Sequence, residues 1–200
     1  IRLASLNGPN VLVDAGGSII DNGETDVDVI ATSAQLVAGA GIGEPETIQD
    51  GPVDTTVTTL ASSAGTGSIY ISETDALEIG SVAAIDVERV DIDSTTTTQS
   101  GTVLEGAAAA LNLKIEAGNG LTVNNAVTAT NADLLLHALN GDLALNSSVD
   151  AGGNASLLAS ANLTQAAAGD VTVGGTLDVD AQGGDLTMTD GAVSNVTGNL

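Results

Sequence analysis

The chain has 200 residues, of which 26 are Asp or Glu and three are Lys or Arg, and it contains no cysteine. Its net charge of −23 repels phosphate groups, so we expect no binding to nucleic acid or to an anionic membrane surface. The longest strongly apolar stretch, around residues 107–111, is too short to span a membrane, so we expect no membrane insertion. Without cysteine, disulfides and thiolate metal sites are excluded. Hydrophobic residues make up 42% of the chain, but Phe and Trp are absent and Tyr70 is the only aromatic residue, which indicates a folded protein with a narrow aliphatic core.

Aliphatic residues two positions apart, the pattern of a short strand with one buried face, recur along the first half of the chain. Examples are Val11/Val13, Val27/Val29, Ile69/Ile71, Leu77/Ile79, Ile85/Val87 and Val90/Ile92. Short turns rich in Gly, Asn and Asp separate them. We expect the last four of these pairs to form one coil of a repetitive fold.

Two stretches of the chain depart from this pattern. Residues 40–53 contain Pro45 and Pro52, and because proline cannot donate to a strand ladder, we expect a loop that leaves the coil there. Residues 103–113 are rich in alanine and have helix propensity. Strand-like spacing resumes at Leu111, Leu113 and Ile115, so we favour a tight corner or core positions for these alanines.

A longer period appears in the second half of the chain. Leu121, Leu143, Leu163 and Leu186 are 22, 20 and 23 residues apart and open similar strings, with two further apolar positions between successive members. Three short strands per coil of about 20–23 residues describe an all-β, right-handed parallel β-helix, also called a β-solenoid. We predict one such segment over residues 1–200, with about nine coils and the four leucines in one inward column.

Tandem immunoglobulin-like sandwiches are the alternative fold. Such sandwiches normally carry core aromatic residues and longer strands of alternating pattern.

The sequence offers little for catalysis. His137 is the only histidine and has no acidic or nucleophilic pattern around it, and Lys114 is the only lysine. Motifs for a nucleophilic serine, a zinc protease, a phosphate-binding loop or a dinucleotide site are absent. We therefore predict no catalytic residues and no enzyme activity.

Aspartate pairs are the best candidates for a binding role. Asp26/Asp28, Asp91/Asp93 and Asp178/Asp180 have strand spacing, which places each pair on one face, and Asp185 and Asp190 follow the last pair. Carboxylates are the hard oxygen ligands that calcium prefers. We interpret the acids mainly as a solvated acidic face. We expect no cofactor, with calcium at these turns as the alternative. Its candidate ligands are Asp178, Asp180, Asp185 and Asp190.

The repeat style points to a family. The strings GDLALNSSVDAGGNASLLASANLTQ at 141–165 and GDVTVGGTLDVDAQGGDLTM at 169–188 resemble the β-helical repeats of filamentous-haemagglutinin-like adhesins of bacteria. The segment at 36–80, in which GIG precedes a loop and then a G-x-I-x-I strand, is similar to a recurring unit of such exoproteins. The resemblance implies a section of a longer repetitive protein that is extracellular or on the bacterial cell surface.

Three functional hypotheses follow. The main one is a structural rod or fibre segment of an adhesin or extracellular filament, with end-to-end self-association and a glycan or other cell-surface ligand as partners. The second is a calcium- or glycan-binding solenoid module. The third is a polysaccharide lyase or hydrolase, which the shortage of basic and aromatic residues disfavours.

Overall fold

A computed structural model describes residues 1–23, 26–46 and 50–200, and the regular structure in these ranges consists of β-strands without helices. The strands in chain order are β1 (Leu6–Asn7), β2 (Asn10–Ala15), β3 (Val29–Ala38), β4 (Val53–Ala64), β5 (Ile69–Glu73), β6 (Leu77–Ile79), β7 (Ser81–Val82), β8 (Val87–Val90), β9 (Thr96–Gln99), β10 (Leu104–Glu105), β11 (Ala107–Ala109), β12 (Leu113–Ala117), β13 (Leu121–Val123), β14 (Val127–Ala129), β15 (Leu134–Ala138), β16 (Leu143–Leu145), β17 (Val149–Ala151), β18 (Ala155–Ala159), β19 (Leu163–Gln165), β20 (Val171–Val173), β21 (Leu177–Ala181), β22 (Leu186–Met188) and β23 (Ser194–Val196). Nineteen of these strands join in one sheet that winds into a parallel β-solenoid of about eight turns, which confirms the predicted fold class.

The solenoid has three faces, each a stack of parallel strands. Face A contains β5, β12, β15, β18 and β21; face B contains β6, β13, β16, β19 and β22. Face C runs through β2, β3, β4, β11, β14, β17, β20 and β23. The strands β3 and β4 are longer than the others, with 10 and 12 residues, and β4 crosses corners, since it pairs with β5, then β6, then β11.

The predicted leucine column is confirmed. Leu121 pairs in register with Leu143, Leu143 with Leu163, and Leu163 with Leu186, and Leu77 extends the column in the other direction. The first four members of the stack are buried, whereas Leu186 is 53% exposed. Stacked aliphatic chains fill a thin core without aromatic rings, which explains the composition of the chain.

The alanine-rich stretch is not helical, and two of its alanines take core positions on the strand β11, as expected. Ala107 and Ala109 in β11 point into the core and pair with Val127 and Ala129 of the next coil. The neighbouring coils supply hydrogen-bond partners on both sides of β11, and this pairing overrides the helix propensity of alanine.

The predicted coil over Ile69, Leu77, Ile85 and Val90 is wrong after Leu77. The chain leaves the solenoid after Gly80 and returns at Gly106, whose N–H donates to the Gly80 carbonyl at 2.9 Å. Residues 81–105, called the arm below, contain the antiparallel pairs β7–β10 and β8–β9. Because the arm takes these residues out of the coil, the solenoid has about eight turns where about nine were expected.

The predicted loop at 40–53 includes residues 47–49, which lie outside the described residues. Before them, Ile42 belongs to the solenoid, since it is buried and forms parallel bridges to Ile19 and Ile69. Gly43 then takes a φ of +64°, and a Cβ there would collide with the Tyr70 carbonyl. Both Pro45 and Pro52 lie outside the strands, and β4 begins directly after Pro52.

Polar ladders hold the corners of the coils. At the entry to face A, Asp133 Oδ1 accepts the backbone and side-chain N–H groups of Asn154, at 2.7 and 3.0 Å. Asn154 Oδ1 in turn accepts the N–H and hydroxyl of Thr176, at 3.0 and 2.9 Å. Asp142 and Asn162 repeat the arrangement at the entry to face B. These side chains satisfy backbone donors that would otherwise need water at each turn.

Candidate functional site

The only tyrosine, lysine and histidine of the chain come together on the outside of face A. Tyr70 of β5 lies opposite Lys114 of β12, and Glu116 of β12 lies opposite His137 of β15. Lys114 Nζ is 3.1 Å from Glu116 Oε2 and 3.5 Å from Glu46 Oε1. His137 Nδ1 is 3.2 Å from the other oxygen of Glu116. One carboxylate therefore bridges the lysine and the histidine across neighbouring coils.

This cluster was missed in the sequence because the acidic partner of His137 is not local. Glu116 precedes His137 by 21 residues, one coil, so the repeat period itself carried the signal. A shallow groove of about 400 Å³ beside the cluster is lined by Tyr70, Lys114, Leu135 and Ser156, and not by His137. The contact between Glu116 and His137 links β12 to β15.

The arm forms a second surface feature. Its base is attached to the solenoid by Gln35, whose side chain points outward from β3 but is only 2% exposed. The Gln35 amide donates to the carbonyls of Val82, Ala83 and Thr102 at 2.9, 3.0 and 3.0 Å. These contacts hold both strands of the arm at its root against face C.

A groove of about 580 Å³ separates the arm from the solenoid. The hairpin contributes one wall, and the outward residues of β2 and β3 contribute the other. Its aliphatic lining comprises Leu12, Val37, Ile85 and Val87, and its polar lining includes Asp14, Arg89 and Gln99. The groove therefore has a mixed lining, in which four aliphatic side chains lie beside uncharged polar groups, one cation and one carboxylate.

The candidate calcium ligands lie at the carboxyl-terminal end of the described solenoid. Asp178 and Asp180 project from the outer side of β21, next to Ser156 and Leu158 of β18, and both are exposed. Asp185, directly before β22, and Asp190, in the turn after it, are also exposed. Across residues 1–23, 26–46 and 50–200, no three acidic or histidine side chains converge as a metal site would require. Calcium binding by these four residues stays a prediction.

The other two aspartate pairs do not lie on strand faces. Asp28 is fully buried while Asp26 is exposed, and neither belongs to a strand. Asp91 and Asp93 lie in the turn of the arm, where Asp93 Oδ1 accepts the N–H and hydroxyl of Thr95 at 3.0 and 2.7 Å. These hydrogen bonds lower the pKa of Asp93.

Glu73 is a buried acid that the sequence pattern did not reveal. It occupies an inward position of β5 and is 2% exposed. Its carboxylate accepts the Thr55 hydroxyl at 2.7 Å, the Val57 N–H at 2.9 Å and the Asp75 N–H at 3.1 Å. Burial nevertheless raises the pKa of Glu73, because desolvation of the charge outweighs these donors.

The chain matches no family model, no curated protein and no solved structure. Within the described ranges, no helix has the length and apolarity to cross a membrane. The parallel β-solenoid is consistent with a β-helical repeat.

Proposed function

We propose that this chain is a structural rod module of a bacterial surface or secreted adhesin, similar to the filamentous-haemagglutinin type. The observation that carries the proposal is the unbroken parallel pairing along face C, from β2 through to β23. Every coil is hydrogen-bonded to the next, so force along the axis is shared among ladders on three faces. With a spacing of about 4.8 Å per coil, about eight coils span about 38 Å.

The charge of the chain supports a rod that stays separate from its neighbours. A net charge of −23 on a narrow solenoid opposes side-by-side contact between copies. Acidic side chains occupy outward positions on all three faces, for example Glu78 on face B, Asp150 on face C and Asp178 on face A. The acidic surface therefore acts as a solubility device in this proposal.

Self-association is expected along the axis. The backbone ladder that joins successive coils is not specific for side chains, so it can also join a coil to a second copy of the chain. An extracellular or cell-surface location follows from the same proposal, as does a glycan or cell-surface ligand at another part of the longer protein. Catalysis has no part in it.

Small-angle scattering after size exclusion, combined with negative-stain imaging, tests the proposal. We expect particles of constant narrow width whose length increases in steps of about 38 Å with concentration. Leu143→Asp, which buries a charge, should abolish the particles, whereas Ala144→Asp on the outer side of the same strand should preserve them. Particles of one length at every concentration would refute self-association, and cleavage of a polysaccharide would refute the structural role.

A further inference from the structure

The arm is an insertion between two strands of the solenoid, and it leaves the pairing of the coils unchanged. Chain exit and return are clamped together by the Gly106 to Gly80 hydrogen bond, and β4 pairs with β11 as if the arm were absent. A second hydrogen bond, from the Gly101 N–H to Asp86 Oδ1 at 2.8 Å, ties the two strands near their base. These hydrogen bonds, together with those of Gln35, fix the root of the arm beside face C.

The position of the arm creates the groove described above. Val87 and Arg89 alternate with Glu88 along β8, and Gln99 is the register partner of Val87, so these three side chains share the inner side of the hairpin. The opposite wall presents Leu12 and Asp14 from β2. A groove of this volume lies within the range of sites for small ligands.

Arg89 is the unusual group in this groove. Arg2 pairs with Asp50 at 2.8 Å, and Lys114 pairs with two glutamates. Among the described residues, no carboxylate lies within 4.0 Å of the Arg89 guanidinium. The Arg89 side chain is exposed at the rim of the groove, and in a chain with 26 acids an exposed cation without an ion pair among the described residues fits an external carboxylate.

The lining of the groove identifies the class of ligand. The aliphatic part of the lining fits aliphatic side chains, and its polar part fits the amides of a peptide backbone. The only aromatic residue, Tyr70, lies on face A, so the groove lacks the ring on which a sugar would stack. Asp14 can accept an N–H, as a peptide backbone provides. The net charge of −23 repels a polyanion more strongly than a ligand with a single carboxylate.

We infer that the groove beneath the arm binds a short aliphatic peptide segment that carries one carboxylate, which pairs with Arg89. The aliphatic side chains pack against Leu12, Val37 and Val87, and a backbone N–H donates to Asp14. The carboxylate belongs either to a chain terminus or to an acidic side chain. This binding function goes beyond the structural role, and the solenoid forms whether or not the groove is filled.

Calorimetric titration of the whole chain with four peptides tests the inference. The first two are N-acetyl valyl-leucyl-valine with a free carboxyl terminus and with a terminal amide. The other two are N-acetyl valyl-aspartyl-valine amide and its asparagine counterpart. We expect binding of at least one carboxylate peptide, weakened about tenfold or more when the carboxylate becomes an amide. Which of the two pairs shows the difference distinguishes a terminal from a side-chain carboxylate.

Two variants with the same change in charge locate the site. Arg89→Gln should weaken binding about tenfold or more, whereas Lys114→Gln on face A should leave it unchanged. Circular dichroism and scattering of both variants establish that the solenoid is intact. Absence of binding by all four peptides, or equal affinity in Arg89→Gln and the unaltered chain, would overturn the inference. Tighter binding of trigalacturonate than of any peptide would overturn the peptide assignment in favour of an acidic sugar.

Discussion

Truncation of one leucine in the core column tests the coil register most directly. Leu143 is fully buried between Leu121 and Leu163, its register partners in the preceding and following coils. Leu186 belongs to the same column but is 53% exposed, and among the described residues its one register partner is Leu163. Leu143→Ala and Leu186→Ala therefore remove the same atoms from two environments of the same stack.

The structure sets different magnitudes for the two variants. Removing a fully buried leucine side chain costs about 2–5 kcal/mol, and neighbours on both sides of Leu143 hold the cavity open, so we expect about 3–4 kcal/mol. About half of the Leu186 side chain is already in water, and a fully buried leucine is worth about 1.5–3 kcal/mol by transfer, so we expect about 1 kcal/mol or less there.

Urea unfolding followed by far-ultraviolet circular dichroism measures both free energies, and coincidence with a second probe establishes whether the solenoid unfolds as one unit. If the coils unfold in separate transitions, the shift in the midpoint of the transition that each substitution affects measures its effect. If Leu186→Ala destabilises the chain as much as Leu143→Ala, the assignment of buried and exposed members of the column is wrong.

Three further predictions follow from the structure. Burial raises the pKa of Glu73, so its contribution to stability is complete below the unfolded value near 4.5 and is lost as pH rises through the folded pKa; the free energy of unfolding of the natural chain relative to Glu73→Gln should therefore fall between pH 4 and pH 8, and a rise would contradict it. Gln35→Ala leaves three carbonyls at the root of the arm without their donor, so we expect a loss of about 1–3 kcal/mol and faster proteolysis within the arm, and an unchanged cleavage rate would count against the anchoring role. Millimolar calcium should raise the melting temperature more than magnesium or sodium chloride of equal ionic strength, and an Asp178→Asn, Asp180→Asn double variant should lose the difference; equal responses to the three salts would remove calcium from the account.

The solenoid and its leucine column could be predicted because their signals repeat. A spacing of about one coil between Leu121, Leu143 and Leu163 recurs independently of where the chain goes between them. The alternation of apolar and polar residues within each strand then indicates which side chains point inward. The first pattern gives the register of each coil on the next, and the second gives the inward side chains of each strand. Together they define a solenoid, because each coil contacts only its neighbours.

The arm could not be recognised in the same way. Ile85 and Val87 alternate as a coil strand does, because a hairpin strand with one apolar side has the same period of two. A hairpin strand and a coil strand differ in the direction of pairing, which is antiparallel in the hairpin and parallel in the coil. The direction depends on whether β8 pairs with β9 or with a strand of a neighbouring coil. The groove beneath the arm, and the position of Arg89 beside it, follow from that outcome.

The amino-acid sequence by itself thus determined the repeat, the strand faces and the aliphatic column, because these depend on residues one coil or two positions apart. Tertiary structure alone decided the surroundings of the polar groups. Gln35 is buried because the arm folds over it, Glu73 because β4 crosses it, and His137 meets Glu116 because two coils stack in that register. The identity of a polar residue does not reveal whether its side chain is in water or in the core. Its charge and its hydrogen-bond partners depend on its neighbours in space.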